Sequence, residues 1–263
     1  MTDDPLQAYY ARGEERDRLT TGAGRLEFLR TTEVIRRTLP AARAVVADIG
    51  GGPGRYTDWL CTLGHEVIHR DLVADHVHQV RARHPEVDSQ VGDARRLDLA
   101  DESVDVVLLL GPIYHLRERA DRIQALREAR RVVRRGGIVH VAAISRWAAR
   151  LDGILVQRFH ERHPNLVEIV AEGEQTGWMA PAHERGFSCA THTPEDLRSE
   201  LDEAGLSIDA LVTVEGVAFA LGDLDARLDN PTGRALVLDT LRAVEAVPEL
   251  LGVGPHLLAT ART

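Results

Sequence analysis

The sequence predicts an α/β fold in which helices cover both faces of a mostly parallel sheet. Between residues 44 and 144, short apolar runs alternate with segments whose apolar residues recur at helical spacing. The apolar runs lack polar alternation, which is typical of parallel strands buried on both faces. A glycine-rich turn directly follows the first run. Together these observations predict strand–helix–strand units organised around that turn.

Residues 1–43 come before the first predicted strand and are predicted to form two helices. The second helix carries an apolar stripe and ends at Pro40. The first carries Tyr9 and Tyr10, and a flexible segment at 20–24 separates it from the second. This part of the chain is therefore predicted to be helical on either side of a hinge.

The first strand is predicted over Val45–Ile49, and a glycine turn follows it. The strand contains one acid, Asp48, and the turn contains Gly50, Gly51, Gly52 and Gly54. Glycine permits positive φ and lets a ligand approach the backbone without a Cβ in the way. A helix is predicted from residue 55, so its unpaired N–H groups face the same crevice. A strand, a glycine turn and a helix in this order predict a site for a nucleotide-type cofactor.

The glycine spacing discriminates between two cofactor classes. The dinucleotide fingerprint G-x-G-x-x-G would need glycine at position 55 or 57, where the chain has Arg55 and Thr57. The pattern that fits is D-x-G-x-G-x-G from Asp48 to Gly54. A carboxylate at the strand end favours a cationic ligand and repels a pyrophosphate. In this stretch the chain resembles the class I S-adenosylmethionine-dependent methyltransferases, whose first motif has this pattern.

The resemblance implies a Rossmann-like, seven-stranded, mostly parallel sheet and S-adenosylmethionine as the cofactor. In that family the glycine turn passes beneath the methionine and ribose parts, and acids after the second and third strands contact the ribose and the adenine. Asp71 has an alternative role as the cap of the next helix, and both roles are compatible. The implied cofactor-binding residues are Asp48, Gly50, Gly51, Gly52, Gly54, Asp71, Leu72, Asp93, Ala94, Leu110 and Gly111.

The predicted fourth strand, 104–110, ends beside the glycine turn, where ligands of open α/β sheets bind. Tyr114 is predicted to contact the substrate. His115 is predicted to be a general base because imidazole titrates near neutral pH; the alternative is a histidine that hydrogen-bonds backbone at a helix start. Methyltransferases of nucleobase amines usually have Asn or Asp, two prolines and an aromatic here. Position 111 is glycine, which argues against a nucleic-acid amine as the acceptor.

The helix predicted over 119–134 has an arginine-dense face with interleaved acids. We interpret it as a solvated face whose charges pair with one another, and a phosphate or RNA footprint is the alternative. Gly136 and Gly137 end the helix, and a fifth strand is predicted over 138–144.

Residues 145–192 interrupt the alternation of strands and helices, and the resemblance implies a cap insertion that forms the acceptor pocket. Trp178 is a predicted substrate contact and His192 a second candidate base. Tyr10 is a predicted substrate contact because N-terminal helices of the family fold over the cofactor as a lid. His160 and His163 lack a partner at metal-ligand spacing, so no metal is predicted. The candidate lining residues are Trp147, Phe159, Trp178, Met179, His183, Phe187 and His192.

Residues 193–263 are predicted to complete the sheet. Thr193 and Pro194, followed by two acids, mark a helix start, and Gly205 marks its end. Strands at 206–214 and 256–262 flank a helix at 232–247, and one of the last two strands is implied to be antiparallel. No repeat or linker divides the chain. We therefore predict a single domain with a lid (1–43), a cofactor core (44–144), a cap (145–192) and a C-terminal part of the sheet (193–263).

Composition excludes several kinds of protein. All 32 basic residues are arginine, so Schiff-base chemistry and a phosphate-binding P-loop lysine are excluded. A net charge of −9 gives no general attraction to nucleic acid or an anionic membrane. No apolar run reaches the ~20 residues of a membrane span, and the acidic N-terminus is unlike a secretory signal. With two cysteines at no metal-type spacing, these features predict a cytoplasmic protein.

The sequence-based hypothesis is methyl transfer from S-adenosylmethionine to an oxygen, nitrogen or carbon atom of a small molecule, in specialised metabolism. One alternative is a catalytically silent protein that binds the same cofactor. The other is an NAD-dependent oxidoreductase. The glycine spacing argues against it, because it does not match the dinucleotide-binding pattern. The oligomeric state is left open by the sequence.

Overall fold

The computed structural model describes residues 18–181 and 187–263. Nine strands within these ranges form the central sheet. They are β1 (Val45–Ile49), β2 (Glu66–Asp71), β3 (Asp88–Val91), β4 (Val104–Leu109), β5 (Val133–Ser145), β6 (Trp178–Met179), β7 (Cys189–His192), β8 (Ser207–Thr213) and β9 (His256–Arg262).

The sheet has the predicted α/β topology. Strands β3, β2, β1, β4 and β5 are neighbours in that order and all run parallel. The free edge of β5 pairs with β9, which is antiparallel to both β5 and β8. The predicted strands and the antiparallel last strand are confirmed. The two short strands β6 and β7 were not predicted; they form an antiparallel pair, and β7 adds to β5 in parallel.

Helices pack on both faces of the sheet. The α-helices are α1 (Gly22–Arg36), α2 (Arg55–Thr62), α3 (Ala74–Arg83), α4 (Pro112–His115), α5 (Arg119–Val132), α6 (Leu166–Thr176), α7 (Pro194–Glu203), α8 (Leu224–Asp229) and α9 (Pro231–Val244). A π-helix spans Ala149–Val156, and 3₁₀ turns span Phe159–Glu161, Gly216–Ala220 and Pro248–Leu250. Within the described ranges, no helix combines the length and the apolar character that crossing a membrane requires.

Strand β4 shows why these strands lack polar alternation. Leu108 packs in an apolar cluster with side chains of α1, α2 and α3. Its neighbours Val107 and Leu109 pack in the opposite cluster with α5 and α7. Successive side chains of a strand point to opposite faces, so both faces of this strand are buried. The prediction of a parallel sheet covered on both sides is confirmed.

The start of β5 differs from its predicted position. Val133 already pairs with Val104, but the register then shifts, and regular pairing resumes with Ile138 opposite Val106. Gly136, at φ +72°, lies in the extra segment between these two pairs. The predicted helix therefore ends at Val132, and the Gly-Gly sequence forms an irregularity within the strand rather than a turn before it.

The arginine-rich face of α5 pairs largely with acids. Arg122 Nη2 lies 2.7 Å from Glu200 Oε1, and Arg119 Nη1 lies 2.5 Å from Glu203 Oε2. Both acids belong to α7. These two arginines therefore pair with a neighbouring helix, which differs from the predicted self-paired face, whereas Arg131 pairs as predicted with Glu128 of its own helix at 2.8 Å.

One histidine at the start of β9 is expected to make stability depend on pH. His256 Nδ1 lies 2.6 Å from Glu215 Oε1 and 3.9 Å from Glu27 Oε2. Burial lowers the pKa of His256, but the two carboxylates outweigh burial and raise it to about 9 from 6.5. A raised folded-state pKa gives stability that is complete below pH 6.5 and is lost as pH rises through 9.

We therefore expect the free energy of unfolding to fall by about 3 kcal/mol across that pH window. Urea denaturation at a series of pH values measures the fall. His256→Gln should lose most of this pH dependence, whereas the exposed His78→Gln should keep it. Identical pH profiles for the wild type and His256→Gln would contradict the assignment.

Candidate cofactor and acceptor site

A cavity of about 470 Å³ lies where β1, β2, β3 and β4 end. This volume falls within the range of about 300–1,000 Å³ that small-molecule and cofactor sites occupy. The turns after all four strands contribute to its wall. Of the residues predicted from sequence, the structure places the following in its lining: Asp48, Gly50, Gly51, Gly52, Asp71, Leu72, Asp93, Ala94, Leu110, Gly111, Tyr114 and His115.

The glycine turn needs glycine for two different reasons. Gly52 has φ +56°, and a Cβ built there meets no protein atom within 4 Å, so it would project into open space beside the cavity. Gly54 has φ +89°, is the N-cap of α2 and is not among the residues that line the cavity. A Cβ at Gly54 would lie 2.6 Å from Val80 Cγ2. The structure therefore gives Gly54 a packing role, and its predicted contact with the cofactor stays a prediction.

Asp48 lies at the floor of the cavity, beneath the turn. Its side chain is 1% exposed, and its Oδ2 accepts a hydrogen bond from Thr57 Oγ1 at 2.8 Å. A Cβ at Gly51 would come within 2.6 Å of the same oxygen. Burial raises the pKa of Asp48. A cationic group above the turn would oppose that rise, so the position suits a positively charged ligand.

Asp71 holds the turn as well as facing the cavity. Its Oδ2 accepts from Gly52 N at 2.8 Å, while Oδ1 accepts from Val73 N at 2.8 Å and lies 3.1 Å from His76 Nδ1. Burial would raise the pKa of Asp71, but His76 and the backbone donors outweigh burial and lower it. A carboxylate oxygen can accept more than one hydrogen bond, so Oδ2 retains capacity for a ribose hydroxyl.

His69 holds the glycine turn in place and was not identified from the sequence. It is buried in β2, with Nε2 3.0 Å from Gly52 O and Nδ1 2.9 Å from Ser89 Oγ. The carbonyl can only accept, so Nε2 carries the proton and Nδ1 accepts from the Ser89 hydroxyl. Gly52 is thus held on both sides, by Asp71 at its N–H and by His69 at its carbonyl. The available signal was spacing, because His69 lies two residues before Asp71 on one strand and shares its face.

Asp93, predicted to contact adenine, is already paired. Arg95 Nη2 lies 2.6 Å from Asp93 Oδ2, and Arg95 Nη1 lies 2.9 Å from Asp121 Oδ2. Arg95 lowers the pKa of Asp93, so the group is a carboxylate at neutral pH. Any ligand amine at this position would share the carboxylate with Arg95, a second residue that the sequence reasoning missed.

Tyr114 and His115 lie together on α4 at one end of the cavity. Their ring centres are 4.8 Å apart, and the His115 ring is 5.5 Å from that of Phe187. Burial lowers the pKa of His115 from 6.5 to about 4. The imidazole is therefore neutral at pH 7 and is a weak proton acceptor. This geometry supports a role in orienting the acceptor more than in removing its proton completely.

The titration of His115 is a direct test of this environment. We expect its Cε1 proton resonance to remain constant from pH 8 down to about 5.5 and to shift with a midpoint near pH 4. Proton NMR measures the titration, and comparison with His115→Gln identifies the resonance. Phe187→Ala should move the midpoint towards 6.5 by admitting water. A wild-type midpoint near 6.5 would show that the ring is solvated.

Two predicted site residues are not part of the cavity. His192, in β7, is 1% exposed, and its Nε2 lies 3.2 Å from Glu200 Oε2, which does not support a role as a second base. Trp178, in β6, pairs with Ala190, and its ring lies against Arg117 instead of the cavity.

The remaining cap candidates divide into three groups. Phe187 lines the cavity as predicted. Trp147, Phe159 and Met179 do not line it. Tyr10 and His183 lie outside the described residues.

The residues present fit S-adenosylmethionine. The turn offers bare backbone at Gly52, Asp48 places a buried carboxyl group beneath it, and Asp71 presents a carboxylate at the end of β2. The bare backbone lets the ligand approach closely, the carboxyl group of Asp48 suits a sulfonium or ammonium group, and the carboxylate of Asp71 suits ribose hydroxyls.

Comparison with known proteins agrees with this fit. The family model described as a methyltransferase domain matches residues 47–141. A protein of Mycolicibacterium smegmatis named as a probable S-adenosylmethionine-dependent methyltransferase is 34% identical over 155 residues, which are 57% of this chain and 59% of that protein. The match thus spans less than two thirds of that relative's length.

Two further comparisons extend over most of the chain. A demethylmenaquinone methyltransferase of Beutenbergia cavernae is 30% identical over 203 residues, which are 71% of this chain and 81% of that protein. The solved structure of a 1,6-didemethyltoxoflavin-N1-methyltransferase of Burkholderia thailandensis has a TM-score of 0.59 at 16% identity, covering 98% of this chain and 87% of that one. The chain belongs to the S-adenosylmethionine-dependent methyltransferases.

Proposed function

We propose that the protein transfers the methyl group of S-adenosylmethionine to an oxygen, nitrogen or carbon atom of a small molecule. The observation that carries this proposal is one continuous cavity lined both by the Gly52 turn and by Tyr114 and His115 of α4. A cofactor held on the turn and an acceptor held at α4 would occupy the same enclosed space. Such positioning is the main requirement of a displacement reaction.

Each part of the cavity has a separate task in this proposal. Asp71 would bind the ribose hydroxyls, with Leu72 beside it, and Asp93 and Ala94 would border the adenine. Asp48 would favour the positively charged end of the ligand from beneath the turn, and Leu110 and Gly111 would border it. The bound cofactor supplies a methyl group on a positively charged sulfur.

Tyr114, His115 and Phe187 would orient the acceptor and exclude water from the reacting atoms. Because His115 is neutral at pH 7, it can donate or accept a hydrogen bond without itself carrying charge.

Three observations support a small-molecule acceptor and a reducing compartment. The solved methyltransferase from Burkholderia thailandensis holds 1,6-didemethyltoxoflavin and S-adenosylhomocysteine, which supports the class of acceptor through the shared fold. The chain carries a net charge of −9, which does not favour nucleic acid. Cys61 and Cys189 are free thiols, which supports a cytoplasmic location.

Calorimetry followed by turnover tests the proposal. We expect S-adenosylmethionine and S-adenosylhomocysteine to bind in the micromolar range and NADH not to bind. Labelled methyl transfer to a panel of small hydroxyl, amine and carbon-acid acceptors then tests activity. Cofactor binding without transfer to any of them would favour a silent binding protein, whereas NADH binding alone would favour an oxidoreductase.

A further inference from the structure

We propose that the methyl acceptor carries an anionic group, a carboxylate or a phosphate, and that Arg117 binds it. This inference rests on the proposed function, because it names the substrate class of the same cavity. Arg117 follows α4 directly and lines the cavity beside Tyr114 and His115.

The charges that line the cavity are distributed unevenly between its two ends. Four carboxylates of the described residues line the cavity. Those of Asp48, Asp71 and Asp93 follow or lie in the first three strands of the sheet, where we propose that the cofactor binds, and that of Asp121, on α5, pairs with Arg95. We define the acceptor end by its described lining residues, which are Tyr114, His115, Leu116, Arg117, Pro181, Phe187 and Ser188. Because His115 is neutral at pH 7, Arg117 is the single charge among these residues. The described side chains of the acceptor end therefore carry one charge, which is positive.

The pairing of the cavity arginines distinguishes Arg117 further. Arg18 pairs with Glu27, and Arg95 pairs with Asp93. Arg117 has no ion pair with any carboxylate of the described residues. In a chain with 41 acidic and 32 basic residues, an arginine that faces a cavity without such a partner retains its full capacity for a ligand anion.

Arg55, the other cavity arginine without an ion pair among the described residues, lies at the opposite end. It begins α2 directly after the glycine turn, and its guanidinium carbon lies 4.3 Å from the centre of the Phe28 ring. Because Arg55 lies beside the glycine turn, we assign it to the cofactor end. Of these two arginines, only Arg117 is assigned to the acceptor.

Trp178 explains how Arg117 is oriented. The guanidinium carbon lies 5.6 Å from the centre of the Trp178 ring, within the distance at which a cation and an aromatic face attract. A guanidinium that packs against an aromatic ring keeps N–H groups available for the bidentate contact that carboxylate and phosphate accept. Trp178 is thus a positioning residue, and not the direct substrate contact that the sequence suggested.

The test uses the full chain saturated with S-adenosylhomocysteine and three probes of similar shape: benzoate, phenyl phosphate and the neutral benzamide. Calorimetry should show at least one anionic probe binding about tenfold or more tightly than benzamide. The ratio of benzoate to phenyl phosphate affinity then tells which anion the site prefers. Arg117→Gln should remove the preference over benzamide and leave the affinity for S-adenosylhomocysteine unchanged.

Three further variants separate a specific contact from a general charge effect. Arg135→Gln removes the same charge at a side chain that is 91% exposed and outside the cavity, and it should bind the anions as the wild type does. Arg117→Lys keeps the charge but not the planar fork, and Trp178→Leu removes the ring, so both should show intermediate affinities.

Anionic probes that fail to bind, that bind no better than benzamide, or that bind Arg117→Gln as tightly as the wild type would overturn the inference. The titration with S-adenosylhomocysteine keeps the two proposals separate. If the wild type does not bind it, the proposed function fails. If the wild type binds S-adenosylhomocysteine but binds the anionic probes no more tightly than benzamide, only the proposal of an anionic acceptor is ruled out.

Discussion

Asp71→Asn is expected to weaken binding of S-adenosylhomocysteine by about 100-fold, which is close to 3 kcal/mol. The carboxylate accepts from Gly52 N and from Val73 N through its two oxygens. An asparagine can place an accepting oxygen at one of these donors, but its NH₂ group must then face the other N–H. The change therefore removes the negative charge at the position that we propose for the ribose and also releases one side of the glycine turn.

Isothermal titration calorimetry measures this loss directly. Asp75→Asn is the matched control, because it removes an exposed carboxylate from the first turn of α3 and should leave the affinity unchanged. Far-UV circular dichroism verifies that both variants are folded. If Asp71→Asn binds the ligand within about threefold of wild type, which is under 1 kcal/mol, Asp71 is only a structural link between the turn and α3.

Gly52→Ala is expected to weaken cofactor binding by at least about 100-fold with only a small loss of stability. The added methyl group would meet no protein atom within 4 Å, so it would project into the space that we assign to the ligand. The left-handed backbone conformation itself would cost roughly 1–2 kcal/mol of stability.

Gly136→Ala separates these two effects. Gly136 also has positive φ, at +72°, and a Cβ there also meets nothing within 4 Å, but the residue lies in the irregular start of β5. Both variants should lower the thermal midpoint by similar amounts, and only Gly52→Ala should lose affinity for S-adenosylhomocysteine. Equal affinities for the two variants would mean that the ligand does not lie over Gly52.

The cofactor end of the cavity could be predicted from sequence because its signals are local. An apolar strand ending in Asp48, followed by glycines that adopt positive φ, has few alternative structures. The acid at the end of β2 follows at a fixed distance along the chain. The partners of these residues could not be found in this way. His69 and Arg95 act through contacts with Gly52 and Asp93 that depend on how the turns meet in space.

The acceptor end was predicted less well because its structure depends on non-local pairing. The segment 145–192 has weak periodicity, and the pairing of Thr191 with Ile144 sets which face of the sheet each side chain of β7 occupies. One residue of shift in that pairing would move every one of these side chains to the other face. His192 consequently points into a buried network with Glu200, whereas Phe187, just before the strand, reaches the cavity.

Strand β5 has a consequence for how new acceptors could be accommodated. It borders β4 along one edge and both β9 and β7 along the other, so the β6–β7 pair continues the same ladder that supports the cofactor turn. Arg146 reinforces the junction, since its N–H donates to His192 O at 2.8 Å and its guanidinium to Thr191 O at 3.1 Å. The β6–β7 pair, which is flanked in the chain by Pro181, Phe187 and Ser188 of the acceptor end, cannot move away from β5 without breaking backbone hydrogen bonds. Evolution of specificity for a different acceptor would therefore replace side chains on a fixed backbone, rather than move one part of the protein against another.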